Sequence, residues 1–174
     1  MTHDKTALMD LQGNHVLGTY SPNLLLVRGE GAYVWDVDGN RFIDYMGAYG
    51  PNILGYNDPD VDAAAQEQLK NGNCLCFPSD KLVTLGELMV DTVAMADWAF
   101  FAKNGGDTTM FSLMIARAAT GRKKVVLTKG GYHGVAPWTQ KSGHPGITPE
   151  DVANNLYVDF GDFTALERLF AEHK

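Results

Sequence analysis

The sequence predicts an α/β domain of three layers with a mostly parallel sheet, incomplete within these 174 residues and preceded by a β-rich N-terminal segment. Three observations predict it. From about residue 60 onward, helix-periodic stretches alternate with short apolar runs, the pattern that builds parallel βα units. The region before it reads instead as short strands around Asp38-Gly39, a hairpin signal because such a turn needs positive φ. The alternating half supplies only about three sheet strands, fewer than a twisted parallel sheet covered on both faces usually holds. The chain is therefore expected to be part of a larger fold.

The elements follow in order. Leu24 to Met46 is strand-rich, and "AYVWDVDGNRFIDYM" sets Asp38-Gly39 between runs of β-branched and aromatic residues. "GAYGPNILGYNDPD" is dense in Gly, Pro and Asn but carries Tyr49, Ile53, Leu54 and Tyr56, so it reads as an ordered loop. Val61 to Lys70 predicts a helix, and Ser79 or Asp80 caps another that runs to about Met95. "WAFFA", Trp98 to Ala102, is short and fully apolar, as in a buried strand. Past Gly105-Gly106, Met110, Leu113, Met114 and Ala118 share one helical face, and Gly121 suits the C-cap. "KKVVLT" and "NLYVDF" predict two more strands, and Phe163 to His173 a last helix.

Composition narrows the function. With 21 acidic against 14 basic residues, the net charge is −7, which disfavours a nucleic-acid partner. Asp4 and Asp10 interrupt the opening stretch where a secretory signal would be unbroken and apolar, and no run is long enough to span a membrane. Cys74 and Cys76 stand one residue apart, too close to bridge each other readily, and read as reduced thiols of a cytoplasmic protein. The histidines, His3, His15, His133, His144 and His173, show no metal-ligand spacing, so no metal is expected. No G-x-S-x-G elbow is present.

The chemistry gathers at "FFAKNGGDTTMFSLMIARAATGR". A helix start leaves its first N–H groups without internal partners, its dipole adds positive charge, and glycine lets an anion approach the backbone. The stretch matches neither G-x-G-x-x-G nor the P-loop, so taken alone it reads more readily as a plain strand-to-helix turn than as a phosphate site. Asp107 reads as a cap or first-turn acid whose charge opposes a phosphate unless it points elsewhere. One strand later, "KGGYHG" places Tyr132 and His133 at the carboxyl end of a strand, where open α/β sheets bind ligands. Either residue could equally serve packing or loop structure.

"GAYVWDVDGNRFIDYMGAYGPNILGYNDPDV", "FAKNGGDTTMFSLMIARAATGRKKVV" and "GGYHG", in that order and spacing, resemble class III pyridoxal-phosphate (PLP) aminotransferases, nearest the glutamate-1-semialdehyde aminomutase-like branch. The resemblance runs from about Leu24 to Lys174. It implies the type I fold of PLP-dependent transferases, with residues 1–57 as part of the small domain and 58–174 as the start of the PLP-binding large domain. It implies that the N–H groups of Gly105 and Gly106 hold the cofactor phosphate. Asp107 keeps the family's acidic position, Tyr132 stacks on the pyridine ring with His133 beside it, and Tyr49 lines the substrate pocket. The family's turn is usually Ser-Gly-Ser or Ser-Gly-Thr followed by Glu-Ala. Here it is Asn104-Gly105-Gly106-Asp107-Thr108, so binding rests more on backbone N–H groups. Ala48 replaces a small polar residue near the substrate. The Schiff-base lysine and the aspartate for the pyridinium nitrogen are expected beyond Lys174, and Lys103, Lys129 and Lys141 are not cast for that role.

The implied reaction moves an amino group from an amino donor to a carbonyl acceptor through aldimine and ketimine intermediates. A 2,1-aminomutase is the nearest alternative, and a non-catalytic phosphate-ligand or protein-binding module the more distant one. A homodimer is also implied, with Gly47 to Tyr56 and Asn73 to Ser79 as boundary candidates.

Overall fold

The computed structural model describes residues 4–15 and 24–173, which fall into two compact units, Met1–Ser79 and Asp80–Lys174. His3 and Lys174 lie outside the described residues, as does the side chain of His15.

The first unit opens with helix α1 (Lys5–His15), which the sequence reading does not anticipate. An antiparallel meander follows: β1 (Leu26–Glu30), β2 (Tyr33–Asp36) and β3 (Arg41–Ile43). The expected hairpin turn joins β2 to β3, with Gly39 at φ 86°. Asp36 organises it. Its carboxylate accepts the N–H groups of Asp38 and Asn40 and the Asn40 side-chain amide, at 3.0, 2.8 and 3.0 Å. That explains how a carboxylate only 4% exposed is tolerated: its lone pairs are satisfied. Lys5 of α1 forms an ion pair with Asp38 on the same turn.

The loop after β3 is pinned at both ends. Asp44 accepts N–H groups from Met46 (2.7 Å) and Gly47 (3.2 Å) and the Tyr56 hydroxyl at 2.7 Å. Gly31 and Tyr56 exchange both backbone hydrogen bonds, and the Tyr56 ring covers Gly29 so closely that any side chain there would collide with it. Between those anchors, Gly47, Ala48, Tyr49 and Gly50 all have positive φ, a short left-handed turn. For Ala48 and Tyr49 this conformation is strained. Helix α2 (Pro59–Lys70) starts at Asp58, whose side chain accepts from the N–H groups of Asp60 and Val61.

The second unit holds α3 (Asp80–Thr92), α4 (Gly105–Thr120), β4 (Val125–Thr128), α5 (Pro149–Val152), β5 (Asn155–Val158) and α6 (Phe163–Glu172). Strands β4 and β5 pair in parallel, with Val125 opposite Asn155 and Thr128 opposite Val158. This is the expected α/β architecture with a partial parallel sheet. Trp98 to Ala102 departs from expectation. It forms no strand and runs as irregular chain, with Trp98 63% exposed. A strand exists only through a ladder partner, and among the described residues β4 pairs with β5 alone. The segment's Phe100 instead packs on Phe111 of α4, ring centroids 4.7 Å apart.

Among the described residues the buried apolar side chains are Val34, Leu127 and Val158. Many large apolar residues remain exposed, including Tyr45, Ile53, Phe77, Met95 and Phe160.

Candidate functional site

Helix α4 begins in a way its sequence dictates. Asn104 is extended (φ −154°), and its side-chain oxygen accepts the Asp107 N–H at 3.0 Å, so Asn104 is the N-cap. In return the Asn104 amide donates to Asp107 Oδ2 at 3.0 Å. The two side chains satisfy one another, in the manner of a capping box. The Asp107 carboxylate is thereby turned onto the cap. The N–H groups of Gly105 and Gly106 are left, with no hydrogen-bond partner among the described residues, at the positive end of a 16-residue helix.

The loop after β4 is brought against this helix start. Gly134 is buried, with φ 110°, and a Cβ on it would stand 2.8 Å from the Gly106 Cα. Backbone therefore touches backbone, and only glycine fits. Thr109, one turn into α4, donates its hydroxyl toward the His133 carbonyl at 2.8 Å. Further along, the Gly134 carbonyl accepts from Thr139 Oγ1 at 2.8 Å, which folds the following 3₁₀ turn, Pro137–Thr139, back onto the loop.

The result is an open cleft of about 420 Å³ lined by Asn104, Gly105, Gly106, Thr109, Tyr132 and His133, with Gly134 and Val135 at its side. That size lies within the range of small-molecule sites, roughly 300–1,000 Å³. Tyr132 is 83% exposed, its ring free to meet a ligand. His133 Nε2 is buried without a hydrogen-bond partner and lies close over Gly131, where a Cβ would come within 2.9 Å of it.

The structure thus brings four of the sequence-predicted residues, Gly105, Gly106, Tyr132 and His133, to one cleft. Asp107 lies one step further into α4, with its carboxylate engaged by Asn104. Tyr49 belongs to the first unit, 71% exposed on the left-handed turn. Thr109 and Gly134 were missed by sequence reasoning. Both stand inside motifs quoted above, but their partners are distant along the chain, so nothing local marks their part in the site. Among the lysines set aside above, Lys129 is paired with Asp159 at 2.8 Å. Among the described residues no cluster of His, Cys, Asp or Glu could hold a metal ion, and no helix is long and apolar enough to cross a membrane. Cys74 and Cys76 are free and exposed.

The cleft offers two bare N–H donors at a helix start and an exposed aromatic face. Such a set has the chemistry to suit a flat ligand carrying an anionic group.

Comparison with known proteins points the same way. Residues 17–142 match the family model described as aminotransferase class-III. The chain is 42% identical over 146 residues to an aminopentol aminotransferase of Sphingopyxis macrogoltabida, covering 84% of this chain and 34% of that protein. It is 34% identical over 161 residues to a glutamate-1-semialdehyde 2,1-aminomutase of Rhodopirellula baltica, covering 86% of this chain and 37% of that protein. The chain thus spans about a third of the length of the curated relatives it matches. Among solved structures it is similar to the PLP internal aldimine form of the FumI protein of Sphingopyxis sp. MTA144. The TM-score is 0.88 at 37% identity, over 97% of this chain and 43% of the other.

Proposed function

The chain belongs to the class III aminotransferase family and carries part of its type I fold, and from that premise we propose that the protein containing it transfers an amino group from an amino donor to a carbonyl acceptor, with pyridoxal 5′-phosphate as cofactor. The observation that carries the reading is the cleft whose lining holds both the Gly105-Gly106 helix start and Tyr132. A phosphate needs donors without an opposing charge. Both glycine N–H groups are free among the described residues, and the Asp107 carboxylate is drawn onto Asn104. Among the described residues no Lys or Arg side chain lines the cleft, and there the helix dipole and backbone N–H groups supply its positive potential.

Each residue then has a definite task. Gly105 and Gly106 donate to the phosphate oxygens. Asn104 holds the helix start open and keeps Asp107 aside. Tyr132 offers its face to the pyridine ring, with His133 beside it. Tyr49 is carried over from the resemblance alone as a substrate-pocket residue. When bound, the cofactor supplies an aldehyde for the amino group and an electron sink for the carbanion. The amine that anchors it is expected beyond Lys174.

Identity to an aminomutase at 34% supports a second reading, in which the amino group moves within one molecule. Both readings are tested by adding an amino donor to the PLP-loaded protein and recording the visible spectrum. Bleaching of the cofactor band, restored by a separate keto acid or aldehyde, supports the aminotransferase. Turnover of a 1,2-amino-carbonyl compound with no second substrate supports the aminomutase. A spectrum unaffected by any amine would overturn both.

A further inference from the structure

We propose that Thr109 is a positioning residue of the cofactor site, its hydroxyl aiming Tyr132 over the Gly105–Gly106 donors. The inference rests on the reading of the cleft as a PLP site. Thr109 Oγ1 lies 2.8 Å from the His133 carbonyl and 2.9 Å from the Gly106 carbonyl, both acceptors, yet a hydroxyl has one hydrogen. Gly106 O sits inside the helix, where the i+4 N–H serves it. No other described donor reaches His133 O. The hydrogen is therefore of most use on the loop.

That one bond joins two segments 24 residues apart in sequence, and it attaches to the residue next to the stacking ring. The Gly134–Gly106 backbone contact fixes how near the loop comes, but a contact of that kind does not fix rotation about it. The Thr109 bond supplies the second point, so the peptide between His133 and Gly134 has a set orientation, and with it the chain that carries Tyr132 one residue earlier. The phosphate donors need no such help, because they belong to α4 itself and are set by the Asn104 cap. Ring and cradle are thus held by different bonds and should fail separately.

The test uses the protein at its full encoded length. PLP dissociation constants are measured for wild type, Thr109→Val, Thr109→Ser, Tyr132→Ala and the double variant Thr109→Val/Tyr132→Ala. Inorganic phosphate is titrated as a competitor against each. Thr109→Val should weaken PLP about 5-fold, the size of one lost hydrogen bond, while leaving the inhibition constant of inorganic phosphate within about 2-fold. Thr109→Ser should restore wild-type affinity. In the Tyr132→Ala background, Thr109→Val should have no further effect, because there is no ring left to aim.

Equal losses of PLP and phosphate affinity would overturn the proposal, as would effects that simply add or a Thr109→Val protein that no longer folds. Wild type that fails to bind PLP at all would instead remove the reading beneath it.

Discussion

At the scale of single residues, the site depends on a position where a side chain cannot be added. Gly134 has φ 110° and meets the Gly106 backbone, so Gly134→Ala suffers both a forbidden conformation and a collision that no rotamer relieves. We expect a loss of more than about 1 kcal/mol in unfolding experiments, with cofactor binding lost alongside. Gly105→Ala is the control. Its Cβ meets nothing within 4 Å and its φ is ordinary, so the fold should be kept. Tyr132→Ala should weaken PLP several-fold, in line with about 1 kcal/mol for a stacked pair, as read by equilibrium dialysis. Gly105, Gly106, Tyr132 and His133 were legible in the sequence because glycine pairs and aromatics next to strand ends have local meaning. Gly134 and Thr109 were not. A glycine required by another backbone, or a hydroxyl spent on a carbonyl 24 residues away, leaves no local trace.

At the scale of elements, caps and turns carry the predictions. Asn104→Ala removes the α4 cap and should cost about 1 kcal/mol in thermal or denaturant unfolding. It also frees the Asp107 carboxylate, so PLP affinity should fall further than for a change remote from the cleft. In the first unit, the bond from the Asn40 side chain outweighs burial and holds the Asp36 carboxyl below its ordinary 3.8. The bond from Tyr56 does the same for Asp44 and raises the Tyr56 hydroxyl above its ordinary 10.0. A carboxyl whose pKa is lower in the folded state stabilises the fold above its unfolded pKa. That contribution is lost as pH falls through the folded value. Stability of the unit should therefore drop as pH is lowered below about 4, and Asp36→Asn should flatten that acid limb, with carboxyl chemical shifts as the check. The hairpin was readable from Asp-Gly. Trp98 to Ala102 was misread as a strand because its composition suits one, whereas a ladder needs a neighbour, and composition does not report neighbours.

At the scale of the whole chain, the exposed apolar surface dominates. Tyr45 is 92% and Phe160 94% exposed, and soluble monomers rarely leave so much apolar area bare. Residues 1–174 expressed alone should bind a hydrophobic dye strongly and associate with rising concentration; weak dye binding by a monodisperse monomer would contradict that. The alternation of helix and strand announced the architecture, and the three motifs in register announced the family. The central claim, that the start of α4 and Tyr132 together grip a phosphorylated aromatic cofactor, is tested most directly by titrating the full-length protein with pyridoxal 5′-phosphate and, separately, with pyridoxal. We expect the phosphorylated form to bind at least about 100-fold more tightly, the effect of two charge-assisted hydrogen bonds. It should lose most of that advantage when Gly105-Gly106 is replaced by a proline-containing turn without the two N–H donors. Equal affinity for the two compounds, or a preference for phosphate that survives that replacement, would contradict it.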